Sequence, residues 1–122
     1  MSPLLIAAGL VGFLSVAFGA FGAHALEGRL SAEGAGWWAT ATLYALAHSA
    51  AALASALADR HGARGIASAG WAFVIGTAIF AGTLYAMALG APRWLGAVTP
   101  VGGVTLLIGW GLVVLQGFRA PR

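Results

Sequence analysis

Hydrophobic and polar positions divide the chain into four long apolar runs, near residues 3–25, 37–58, 66–90 and 97–117. Each is long enough to cross a hydrocarbon core of about 30 Å at about 1.5 Å per residue. The connections, 27–36, 59–65 and 91–96, carry charges together with Gly or Pro, the residues that interrupt regular structure. Linkers this short make consecutive helices antiparallel neighbours. The pattern predicts an all-α integral membrane protein, a single domain over residues 1–122 folded as an up-down-up-down bundle of four transmembrane helices.

Small residues recur within the runs. Ala8, Gly12, Ser15, Gly19 and Gly22 follow one another at intervals of four, three, four and three, and no Asp, Glu, Lys or Arg stands between Met1 and Leu26. On a helix these five line one narrow stripe, which in lipid lets another backbone approach closely. The second run repeats Trp37, Ala41, Tyr44, His48, Ser55 and Asp59. The third repeats Gly76, Thr83 and Gly90, and the fourth Gly102, Thr105, Gly109 and Gln116. A period near 3.5 predicts left-handed packing at about +20°, with Gly76, Gly102 and Gly109 among the contact points. Phe13, Phe18, Phe21, Leu112 and Val113 are left for the other faces. No internal repeat relates the two halves, so an inverted-repeat transporter is not indicated.

Composition sharpens the picture. Of 122 residues, 61% are hydrophobic and 7% charged, against roughly 25% charged in soluble domains. A chain this short is mostly surface and cannot bury that much apolar area in water. Six Arg against Glu27, Glu33 and Asp59 give a net charge of +3, but the charges are scattered. Nucleic acid would require a dense basic patch, so membrane lipids are the expected partners. The absence of cysteine excludes disulfides and thiolate metal sites.

Ala23-His24-Ala25 has the look of a signal-peptide cleavage site. The segment before it has no basic start, however, and its apolar run of about 20 residues exceeds a typical signal core. A retained transmembrane helix is expected. Arg60, Arg64, Arg119 and Arg122 share a side with the N-terminus, while Arg29 and Arg93 lie opposite. The excess predicts both termini in the cytoplasm, and Trp37, Trp38 and Trp94 in the outer interfacial belt.

Few residues could carry chemistry. His48 lies eleven positions past Trp37, about 16 Å along a helix and so near mid-membrane. An ionisable group at that depth is expensive and marks either a function or a neutral imidazole bonded to a neighbouring helix. Tyr44, one turn away, can join that bonding. His24 closes the first helix, projecting away from the glycine stripe. Thr99-Pro100 reads as a helix start, Thr as N-cap and Pro in the first turn. The stretch 94–98 would then enter the outer leaflet irregularly, and His24, Tyr85 and Thr99 would share an outer polar pocket. The two histidines differ in depth by roughly 13–16 Å, whereas two ligands of one metal each lie near 2 Å from it. A shared metal or haem within one chain is therefore not expected, and no cofactor is assigned. No carboxylate is embedded in the membrane, and nucleophile, P-loop and dinucleotide motifs are absent. Asp59 and His61 read as solvated.

These residues resemble a known family. GAFGAH from Gly19 to His24, Tyr44 with His48, Gly82-Thr83-Leu84-Tyr85, the run from Leu95 to Gly103 and the pair Gly109-Trp110 are similar to the domain of unknown function 423. Ala25 departs from the pattern, standing where members often have Gly. The resemblance implies a four-span inner-membrane protein and brings no established activity. The expected function is a non-enzymatic membrane subunit, acting as a homo-oligomer or within a larger membrane complex. The alternative is a channel or carrier for a small solute, with His48 at mid-membrane.

Overall fold

The computed structural model describes residues 1–119, so Arg122, counted above for orientation, lies outside the described residues. Four α-helices run in order: α1 (Pro3–His24), α2 (Ala32–Arg60), α3 (Ile66–Ala88) and α4 (Thr99–Gly117). A short 3-10 helix, Arg93–Ala97, leads into α4. All four are long and apolar enough to cross a membrane. The protein is all-helical among its described residues.

Local chemistry explains where the helices start and stop. Ser2 caps α1 by accepting the Leu5 N–H. Ser31 does the same for α2 through Gly34 N–H at 2.9 Å. That cap starts α2 at Ala32, five residues before the apolar run begins, because the first turn holds Glu33 and small residues only. α2 and α3 both end in Schellman turns. Ala63 N–H reaches the Ala58 carbonyl with Gly62 at φ +87°, and Ala91 N–H reaches the Ala86 carbonyl with Gly90 at φ +107°. Gly90 therefore terminates α3 and is no part of a packing stripe, since side chains other than Gly rarely adopt that backbone conformation.

Packing centres on α3. It lies along α2 and α4 and touches α1, while α1 packs on α2. α1 and α4 share no comparable run of contact. In the antiparallel α1–α2 pair, Gly12 faces Ser49, Gly19 faces Thr42 and Gly22 faces Trp38. In the α3–α4 pair, Phe73 faces Gly109, Gly76 faces Leu106 and Phe80 faces Gly102. One partner descends as the other ascends, so each pair keeps a single register. A β-carbon on Gly102 would sit 2.8 Å from Phe80 Cα, which puts one backbone against the other. Ala8 and Ser15 are buried beside their glycines. The α2–α3 seam is narrow because Ala41, Ala45, Ala52, Ala56 and Ala69 are buried in it.

Trp38 is no belt residue. It is 6% exposed and packs with Ala41, Ala45, Leu84 and Tyr85. Gly22 leaves room for its indole against α1, a space the aromatic residue type alone did not reveal. Trp37 and Trp94 remain at the periphery.

Candidate functional site: the enclosed imidazole

His48 sits on the α2 face turned to α3 and α4, and is 8% exposed. Its Nδ1 lies 2.8 Å from the Tyr44 carbonyl, one turn earlier on the same helix. Its Nε2 lies 3.0 Å from Trp110 Nε1 on α4. A carbonyl only accepts and an indole N–H only donates. The two bonds together assign the proton to Nδ1 and the lone pair to Nε2, a neutral ring with both nitrogens occupied. The Tyr44 ring stacks on the imidazole at 5.9 Å and 11°, and Phe73 and Trp110 flank it at 5.8 and 5.9 Å. Phe73 and Trp110 also touch each other, with centroids 4.8 Å apart.

Sequence spacing made Tyr44 a bonding partner of His48. The structure brings the two together, but through the Tyr44 backbone carbonyl and ring face rather than its hydroxyl. Tyr44 itself is 41% exposed at the rim. Spacing alone does not assign Trp110 and Phe73 to this site. Their only sequence signal is depth, and depth does not say which way a ring turns.

The outer pocket of His24, Tyr85 and Thr99 does not form. Tyr85 faces α1 and α2, sharing a hydroxyl bond of 2.7 Å with Thr42 and packing on Phe18 and Trp38. Thr99 faces α3, sharing a hydroxyl bond of 2.6 Å with Thr83 and donating to the Leu95 carbonyl. His24 is exposed at the end of α1. Equal depth placed the three together in one dimension, but α3 stands between the faces they occupy. Thr99 is not the cap of α4 either. The 3-10 helix runs straight into α4 through Val98 in helical geometry, so the Thr99 side chain is free to bond backwards.

A third node ties the start of α2 to the 3-10 helix. Arg93 pairs with Glu33 and lies over the Trp37 ring, 5.5 Å from its centroid. At the opposite end Arg119 reaches the Arg64 carbonyl, holding α4 to the α2–α3 turn. Asp59 and His61 are exposed there. Among the described residues, no three His, Cys, Asp or Glu side chains gather where they could hold a metal ion.

The family described as Protein of unknown function (DUF423) matches residues 18–103, a span holding His24, Tyr44, His48, Tyr85 and Thr99. This chain belongs to the DUF423 family. Among its relatives, the UPF0382 inner membrane protein YgdD of Escherichia coli K12 is 40% identical over 122 residues, covering 98% of this chain and 92% of its own. The UPF0382 membrane protein SERP0230 of Staphylococcus epidermidis is 39% identical, covering 98% of each chain. SSP2132 of Staphylococcus saprophyticus, of the same description, is 36% identical, covering 98% of this chain and 99% of its own. No solved structure matches. This DUF423 member is thus a membrane protein of a family without an assigned function, and the imidazole node spans both the family-matched region and α4 beyond it.

Proposed function

We propose that the protein is a small non-enzymatic subunit of the bacterial cytoplasmic membrane that associates laterally through α2, with copies of itself or within a larger membrane complex. One observation carries this reading. Directly opposite its buried face, α2 exposes Gly36, Thr40, Ala47, Ala50 and Ala54 along one stripe, in which Leu43 and Leu57 are the large side chains. A β-carbon on Gly36 would meet nothing within 4 Å. The inner stripes of the same kind hold α1 to α2 and α3 to α4, and lipid gains little from a face so poor in side chains. The state of His48 favours association over a carrier. Both ring nitrogens are used inside the protein, and aromatic rings border the imidazole, whereas a solute path requires a polar group free to meet the solute.

The native chain has no cysteine, so a single Ala50→Cys reporter is unambiguous. In native membranes under mild oxidant it should form a disulfide dimer or a crosslink to a partner, while Val104→Cys on the exposed face of α4 should not. Absence of any crosslink from Ala50→Cys, with a strictly monomeric protein after mild extraction, sinks the reading. Both termini are proposed to be cytoplasmic, from Arg60, Arg64 and Arg119 at that end against Arg29 and Arg93 at the other. Labelling of Glu27→Cys by an impermeant reagent from outside, with His61→Cys protected, checks it. The reverse pattern inverts the topology.

A further inference from the structure

A cleft of about 360 Å³ lies beside the 3-10 helix, walled by Trp37 of α2, Phe80, Leu84 and Met87 of α3, and Thr99 and Pro100 of α4. Phe80, Leu84 and Met87 follow at intervals of four and three, so they form one apolar strip running about 10 Å inward from the end of α3. The Thr99 hydroxyl is engaged by Thr83 and Leu95, which leaves the wall suited to hydrocarbon. Arg93 is the one charged residue lining the cleft, and it stands at the mouth. Its side chain is 75% exposed and pairs through one terminal nitrogen with Glu33, whose side chain is 52% exposed.

A guanidinium carries five N–H donors, and those not facing Glu33 remain available to a phosphate, whose oxygens it can bond in pairs. A phosphate bound there would lie next to the Glu33 carboxylate, an unfavourable neighbour of like sign. A headgroup bringing its own ammonium removes the conflict, because the ammonium gives Glu33 a partner while the phosphate takes Arg93. An exposed ion pair contributes little, so it opens readily to admit both groups. We infer that this cleft binds phosphatidylethanolamine, with one acyl chain along Phe80, Leu84 and Met87, the phosphodiester on Arg93 and the ammonium on Glu33. Phosphatidylcholine brings a cation without N–H donors, and phosphatidylglycerol brings no cation. The exposed α2 stripe takes no part in the site.

The test is native mass spectrometry of the full chain, delipidated in neutral detergent and offered each lipid in turn. The unmodified protein should retain one phosphatidylethanolamine at severalfold lower lipid concentration than either of the other two. Glycerophosphoethanolamine, the same headgroup without chains, should not bind at that concentration. Arg93→Gln should abolish the selective retention. Gly96→Leu, which adds a side chain beside Met87 in the cleft, should weaken all three lipids. Glu33→Gln should move the preference to phosphatidylglycerol, a gain that misfolding cannot produce. Equal retention of the three lipids by the unmodified protein overturns the inference. So does tight binding of the chainless headgroup, or an order of preference left unchanged by Glu33→Gln or Arg93→Gln.

Discussion

Trp38 fills the space that a β-carbon on Gly22 would need, and through that gap its indole N–H reaches the Phe18 carbonyl on α1 at 2.9 Å. The bare backbone at Gly22 opens a carbonyl one turn earlier to a side chain from the neighbouring helix. In lipid, where an indole N–H has no water to turn to, that bond and the ring packing around it hold the C-terminal half of α1 to the N-terminal half of α2.

Gly22→Ala should therefore destabilise the protein by about 1–3 kcal/mol, the usual cost of overpacking. Loss of the indole bond sets the upper part of that range. Gly9→Ala on the same helix meets nothing within 4 Å and should be nearly neutral. Thermal unfolding in detergent compares the two, and equal melting temperatures would contradict the packing described.

Gly102→Ala tests the α3–α4 seam in the same way. Its new β-carbon would meet the Phe80 backbone, which cannot rotate aside as a side chain can. A loss at the upper end of about 1–3 kcal/mol is expected, against little change for Gly111→Ala, which faces open space. Unfolding midpoints in a denaturing detergent titration give the difference directly.

At the imidazole node, nitrogen-15 NMR of His48 should report the Nδ1–H tautomer. Trp110→Phe keeps a ring but removes the donor to Nε2, and should cost about 1 kcal/mol while weakening the tautomer preference. A native ring that is mainly Nε2–H would refute the assignment, since the Trp110 indole would then face another donor.

Thr77 is buried at 4% exposure and its hydroxyl has no partner among the described residues. Ser15, Ser49, Ser55 and Thr105 each donate to a carbonyl three or four residues earlier. Thr77→Val should raise stability by about 1 kcal/mol, because an unsatisfied buried hydroxyl is a net cost. Thr83→Val, which strips Thr99 of its partner, should lower it by a similar amount. Opposite shifts in melting temperature are the expected signature.

Much of the site was beyond the reach of spacing. His48 stands out in sequence because a lone imidazole in an apolar run is costly wherever it points. Trp110 does not, being one of five tryptophans, and its role depends on α4 turning that face to α2. Tyr85 and Thr99 share a depth, but Tyr85 points from α3 to α2 while Thr99 meets another face of α3 at Thr83. Gly90 fell on a seven-residue repeat that continues past the end of its helix. The Ser31 cap leaves no mark on the apolar pattern, because the helix begins before the apolar run does.

The sequence by itself determined the solvent, the number of helices and which faces could touch. Those follow from run length, charge scarcity and small-residue period, all of which are properties of one helix at a time. Only the tertiary structure decided which face meets which. The choice of α3 as the centre, the closure of Trp110 over His48 and the entry of Trp38 at Gly22 depend on complementary shapes from different helices, and no single helix encodes its neighbour's rotation.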